Sequence, residues 1–277
     1  MRKLLSANFV RLWKSKVFWA LEITSLFFSV VLYFLVGVNV KNIGESWILK
    51  NANYYFFLVM LYTGVLTAIF SSLFFGTGHS EGTIRNKLIV GHRRRDVYFS
   101  NWFLNAMVTF VFVVTHYLTA VTFGIFAGGK EVILVIEQPL LKIGCSLLIV
   151  LAYAAVFTMT SMLDSNKARC AVNNILLALF LLLAGFMVFS ALEQPETKMQ
   201  MVMQEDGSYI KDIVPNTRYV DGNLRTVYTI IESVMPATFA LRLAVGRFSM
   251  YHIWGCFLLI VVFTVTGAAV FNKKDTR

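Results

Sequence analysis

Apolar residues in this chain come in long unbroken runs instead of the one-faced or alternating patterns of soluble domains. Val17 to Val38, about Tyr54 to Phe75, about Asn101 to Ala127, about Ile143 to Leu163, about Ala171 to Leu192 and about Ile253 to Phe271 each form such a run. Each is long enough to cross the roughly 30 Å of bilayer hydrocarbon as a helix. Six crossings place both termini on one side. Ahead of the first run, residues 1–16 carry Arg2, Lys3, Arg11, Lys14 and Lys16, with Leu5, Phe9, Leu12 and Trp13 forming an apolar stripe. That spacing predicts an amphipathic helix lying along the membrane surface. The following run is too long for a secretory h-region and lacks a small-x-small cleavage site after it, so the segment is expected to be retained.

After the fifth run come some sixty mostly polar residues. Glu193 to Asn223, with turn signals at Asp206-Gly207 and Asp221-Gly222, is expected to be exposed and has room for a small hairpin. Leu224 to Met235 has helical apolar spacing, Pro236 breaks it, and Ala237 to Val245 resumes with Arg242 on it, which predicts a broken, partly embedded helical hairpin. The expected fold class is therefore an all-α membrane protein. Its divisions are an interfacial helix at 1–16, spans one to five at 17–192 with a basic loop at 76–100, an outer segment at 193–252, and a sixth span with a tail at 253–277.

Composition agrees with this pattern. Of 277 residues, 57% are hydrophobic and 14% charged, too few charges to coat a soluble globule. The net charge of +10 does not signal nucleic acid, because the basic residues lie between apolar runs and not along one soluble face. Fifteen of them fall in the N-terminal segment, the loop after span two, the turn after span four and the tail, whereas Lys41, Lys50, Lys130 and Lys142 fall in the two short loops opposite. The bias predicts cytoplasmic termini, and Trp13, Trp19 and Trp102 on the inner boundary and Trp47 and Trp254 on the outer one suit interface-seeking indoles.

Candidate catalytic chemistry is sparse. Cys145, Cys170 and Cys256 are an odd number with no CxxC spacing, and His79, His92, His116 and His252 form no HExxH, so neither a disulfide framework nor a metal site is expected. Gly124, Gly129 and Lys130 mimic part of a phosphate loop, but Glu131 stands where Ser or Thr must hold magnesium. Gly144-Cys145-Ser146 lacks the glycine of a protease elbow, and no enzymatic role is expected. Glu22 is the one acid inside the first run. Either it faces a partner or polar cavity, or it snorkels toward the headgroups beside Lys14 or Lys16, and its closeness to the basic end favours the second.

The loop Ser80-Glu81-Gly82-Thr83-Ile84-Arg85-Asn86-Lys87-Leu88-Ile89-Val90-Gly91-His92-Arg93-Arg94-Arg95 holds the densest pattern. Ser80 can cap a short helix, Glu81 suits its positive start, Gly91 its end, and Ile84 and Leu88 share a face. Such a helix either lies on anionic lipid or docks into a soluble partner. The pattern Ser80 to Lys87, then Gly91, a basic cluster and a span, resembles the loop after the second span in permease subunits of ABC-2 type exporters. The basic N-terminal helix, six spans and broken outer hairpin share that likeness over nearly the whole chain. Pro215 to Pro236 also looks like members from Gram-positive bacteria.

The resemblance implies one half of an ATP-driven exporter: two permease chains, alike or different, and a separate ATP-binding subunit that holds ATP and magnesium, with no cofactor in this chain. It implies an ATPase-coupling role for Glu81, Thr83, Ile84, Arg85, Asn86, Lys87 and Leu88, with Glu81, Arg85 and Lys87 as polar contacts and Ile84 and Leu88 as the apolar anchor. The cargo expected from apolar spans is amphipathic: peptide, antibiotic or lipid-like. A non-transporting sensor or immunity protein, binding an extracellular ligand through 193–252, is the alternative.

Overall fold

The computed structural model describes residues 1–43, 54–128, 138–203 and 209–274. Trp47, Lys50, the Gly129-Lys130-Glu131 stretch, the Asp206-Gly207 turn and Arg277 lie outside them. Among the described residues, six helices are long and apolar enough to cross a membrane, which makes this a multi-pass α-helical membrane protein. They are α2 (Lys16–Ile43), α3 (Val59–Ser80), α5 (Arg94–Gly128), α6 (Pro139–Leu163), α7 (Lys167–Leu192) and α10 (Met250–Lys273). Shorter elements join them: α1 (Arg2–Trp13), α4 (Thr83–Ile89), strands β1 (Thr197–Met203) and β2 (Tyr209–Pro215), α8 (Gly222–Val234) and α9 (Pro236–Val245).

Several helices begin or end a turn beyond their apolar runs, because polar residues at a span's end still complete backbone hydrogen bonds. Lys142, expected in a short loop, instead lies inside α6 and is buried. Asp221, expected in a turn, caps α8 by accepting from the Gly222 amide at 2.6 Å. Pro236 occupies the first turn of α9, where its missing N–H costs nothing, and α8 and α9 meet at 92°.

Helices α3 and α6 form the centre of the bundle: 61% of each apolar window is buried, against 22–28% for α2, α7 and α10. Small and hydroxyl residues on α3 allow close approach. Gly64 lies beneath the Tyr153 ring of α6, and Thr67 meets Thr109 of α5 at 3.0 Å. One apolar cluster, with Phe57, Met60, Tyr153, Phe157, Phe239 and Leu243, fills the end of the bundle nearest the bent α8–α9 pair. Another, with Leu12, Phe18, Phe70, Phe74, Leu104 and Phe112, joins α1 and α2 to α3 and α5. A third, with Leu4, Ile84, Tyr98, Met162 and Phe271, closes the end that carries α1 and α4. β1 and β2 pair antiparallel from Thr197 opposite Pro215 to Met203 opposite Tyr209.

The apolar stripe expected on α1 is redistributed. Leu4, Asn8 and Leu12 face the bundle, while Trp13, Val10 and Phe9 are exposed. The hydrophobic pattern could not reveal this, because the buried face is centred on a polar residue.

Candidate functional site

The loop between α3 and α5 folds as a helix held by two left-handed glycines. Gly82 (φ 69) precedes α4, and Gly91 (φ 96) follows its last turn. A Cβ at either would meet nothing within 4 Å, so conformation alone, not space, requires glycine there. Ser80 does not cap α4: its hydroxyl donates back to the Thr77 carbonyl at 3.1 Å, and Glu81 closes α3.

The expected apolar anchor points the other way. Ile84 is only 3% exposed, packed with Leu4, Val97, Tyr98, Met162 and Phe271 of its own chain, and Leu88 packs against the same cluster. Lys87 is drawn in as well, its Nζ donating to Asn8 Oδ1 at 2.6 Å. Burial, with Arg11 nearby, pushes the Lys87 ammonium down to about 8. Asn8 is fully buried, donating to Asn101 Oδ1 (3.1 Å) and Ser100 Oγ (3.4 Å). A polar hub therefore fastens α1, α4 and α5 together, and nothing in the periodicity of residues 1–16 signals it. Thr83 is half-buried; Glu81, Arg85 and Asn86 are exposed. The outward apolar residues of α4 and its C-cap are Ile89 and Val90, 70% and 78% exposed, with Arg85, Arg93 and Arg95 exposed near them in sequence. These two sequence reasoning missed, since it followed the Ile84–Leu88 spacing.

Beside α4, the turn into α7 is pinned by Asp164, which accepts from Arg169 Nε at 2.9 Å and from the Asn166 amide at 3.1 Å. Burial alone would raise the Asp164 carboxyl, but these bonds outweigh it and hold it below the usual carboxylate range.

A second polar region runs inside the bundle between α2 and α5. Glu22, Ser25, Ser29 and Tyr33 recur at helical spacing on one face of α2. Glu22 Oε1 accepts from Thr115 Oγ1, while Oε2 is enclosed with no hydrogen-bond partner. Ser25 Oγ donates to the Phe112 carbonyl at 3.5 Å. Ser29 Oγ and the Tyr62 hydroxyl meet His116 Nδ1 at 2.8 and 2.9 Å, and the Tyr33 hydroxyl meets Nε2 at 3.2 Å. The snorkelling expected of Glu22 is thus replaced by an inward orientation toward α5, because Thr115 offers a donor within the span.

At the opposite end, Arg242 of α9 joins Glu232 of α8 at 2.7 Å and also Glu193 at the end of α7, and His252 Nε2 lies 3.7 Å from Glu232 Oε2. His252 Nδ1 receives the Ser249 backbone amide at 3.3 Å, starting α10. Arg242 within the apolar Ala237 to Val245 run was legible in the sequence; the acids that hold it were not.

Among the described residues no group of three or more His, Cys, Asp or Glu could hold a metal ion. Compared with known proteins, the chain matches no family model, and no curated protein matches it. What its geometry defines is the class: a multi-pass helical membrane protein with a short amphipathic helix clamped across one end of the bundle.

Proposed function

We propose that this chain is the permease subunit of an ATP-driven exporter of the ABC-2 type, with the α4 end of the bundle in the cytoplasm and α4 received by a separate ATP-binding subunit. The observation that carries this is the two-sided character of α4. Ile84, Lys87 and Leu88 fasten it to the bundle, leaving Ile89 and Val90 outward in a strongly basic segment. An exposed apolar pair on a fastened helix, flanked in sequence by exposed arginines, is the form of a docking anchor for a soluble protein. The contact set therefore shifts from the one expected by spacing: Glu81, Arg85 and Asn86 supply polar contacts and Ile89 and Val90 the anchor, while Ile84 and Leu88 transmit force into α5 and α10. Nucleotide-driven motion of the partner reaches the spans through this clamp, and differential contact in two states is what shifts their populations. Magnesium and ATP belong to the partner, and a second permease chain completes the path for an amphipathic cargo.

The test is whether the tagged chain copurifies with a phosphate-loop ATPase from its own cells. Ile89→Asp with Val90→Asp abolishes both copurification and stimulated ATP hydrolysis, while membrane insertion persists; retained copurification overturns the reading. The alternative, a ligand-binding sensor or immunity protein, draws support from the β1–β2 hairpin, where Met199 and Ile213 pair across the strands and are 78% and 64% exposed. ATP-dependent transport in vesicles containing both subunits separates the two, since a sensor moves no cargo.

A further inference from the structure

We propose that the α2–α5 seam is a binding site for a cationic amphiphile, whose amine or guanidinium is received by Glu22. The inference extends the exporter reading by naming a substrate class, yet the binding itself needs no ATPase.

Three observations carry it. First, the other enclosed carboxylates already have their cations: Asp164 holds Arg169, and Glu232 holds Arg242 with His252 beyond it. Glu22 has a single hydroxyl donor, and among the described residues no basic side chain pairs with it. An acid within a span that is left with an open oxygen marks a functional position, with a cation as its natural complement. Second, the groups beyond Glu22 are hydroxyls, an imidazole and a carbonyl, namely Ser25, Ser29, Tyr62, His116 and the Phe112 carbonyl. Their lone pairs accept from N–H donors, and none adds a fixed positive charge that would repel an amine. Third, among the described residues α2 packs chiefly on α5 and α3, and Ile23, Phe27, Phe34 and Leu35 on its other faces are exposed. It is therefore a span that can part from the bundle with little loss of packing. Parting it opens a cleft with a polar stripe on both walls and apolar residues such as Leu21 and Phe112 beside it, a lining suited to a charged head on a hydrocarbon body.

In the closed arrangement the stripe satisfies itself: Ser29 donates to the Ser25 carbonyl at 2.8 Å, and Tyr33 to the Tyr55 carbonyl at 3.2 Å. Glu22 Oε2 alone stays open, so the seam is complete only when a cation arrives.

The experiment uses the full chain, without an ATPase, in nanodiscs of phosphatidylcholine. A photoreactive twelve-carbon primary amine is compared with the alcohol of the same chain length, and the labelled peptides are mapped. The amine labels residues 17–35 and 108–120 about fivefold more than the alcohol does, and Glu22→Gln removes that preference. Thr24→Ala, on the same helix but outside the stripe, where the hydroxyl bonds only the Ala20 carbonyl, keeps it. Equal labelling by amine and alcohol in the unsubstituted protein overturns the proposal, as does an amine preference that survives Glu22→Gln. Neither result bears on whether α4 docks an ATPase, so failure here and failure of the exporter reading are told apart.

Discussion

Lys87 shows how a single side chain is decided by its surroundings and not by its type. In the sequence it is one of many basic residues in a loop and reads as a contact for a partner. In the fold it is taken in behind α1 because Asn8 offers an acceptor at 2.6 Å. Burial holds its folded value at about 8, below the ordinary 10.5. Between those two values the unfolded chain binds more protons than the folded one, so this residue adds stability as pH rises from about 8 to 10.5 and penalises the fold below that window. Lys87→Met keeps the stem, removes the charge and loses one hydrogen bond. At pH 7 the variant should be more stable than the parent by about 1–2 kcal/mol, the charge penalty outweighing the lost bond. Thermal denaturation in detergent at pH 7 and pH 10.5 checks this: the advantage should shrink or vanish at the higher pH, and an advantage independent of pH would contradict the assignment. Glu22 is the opposite case. In the sequence its nearness to Lys14 and Lys16 favoured the outward alternative; the stripe it forms with Ser25, Ser29 and Tyr33 against α5 emerges only in the fold.

At the scale of elements, α8 and α9 were legible in number, break and approximate length, because proline and apolar periodicity act locally. What holds them was not. Glu232 and Arg242 come together only because the chain bends by 92° at Met235 and Pro236. Glu232→Gln leaves Arg242 with Glu193 as its remaining acid, so the expected loss is about 2 kcal/mol, smaller than the roughly 3–5 of a fully orphaned buried charge. Replacing both residues, Glu232→Leu with Arg242→Met, should restore most of that stability, since two apolar side chains of similar size leave no uncompensated charge. Melting temperatures of the single and double variants in nanodiscs measure the difference, and additive losses would sink the pairing argument. For α4 the two ends were partly legible, Gly91 as a stop and the basic cluster beyond it. Its facing was not, because Ile84, Leu88 and Ile89 are all apolar within six residues and a short helix can turn either side to the bundle.

For the whole molecule, orientation is the property on which the exporter reading stands or falls. Single cysteines at Arg95 and at Lys198, made one at a time, should differ in reach from an impermeant maleimide on intact cells: Lys198→Cys reacts and Arg95→Cys does not until the membrane is opened. The native cysteines give little background, as Cys145, Cys170 and Cys256 are all buried. Labelling of Arg95→Cys from outside would reverse the topology and remove α4 from any cytoplasmic motor.

Taken alone, the order of residues determined that six helices form, roughly where each starts and stops, and that a broken pair precedes the last. Such features depend on transfer of consecutive apolar residues out of water and on local backbone chemistry, both written along the chain. Only the tertiary structure decided which face of α4 is outward, that Asn8 and not an apolar residue centres the buried side of α1, that Glu22 turns toward Thr115, and that Arg242 finds Glu232. In a chain whose helices are apolar nearly all round, periodicity no longer distinguishes inside from outside. The few polar side chains then settle their partners by proximity across 10 to about 90 residues of sequence, a relation that a linear pattern does not contain.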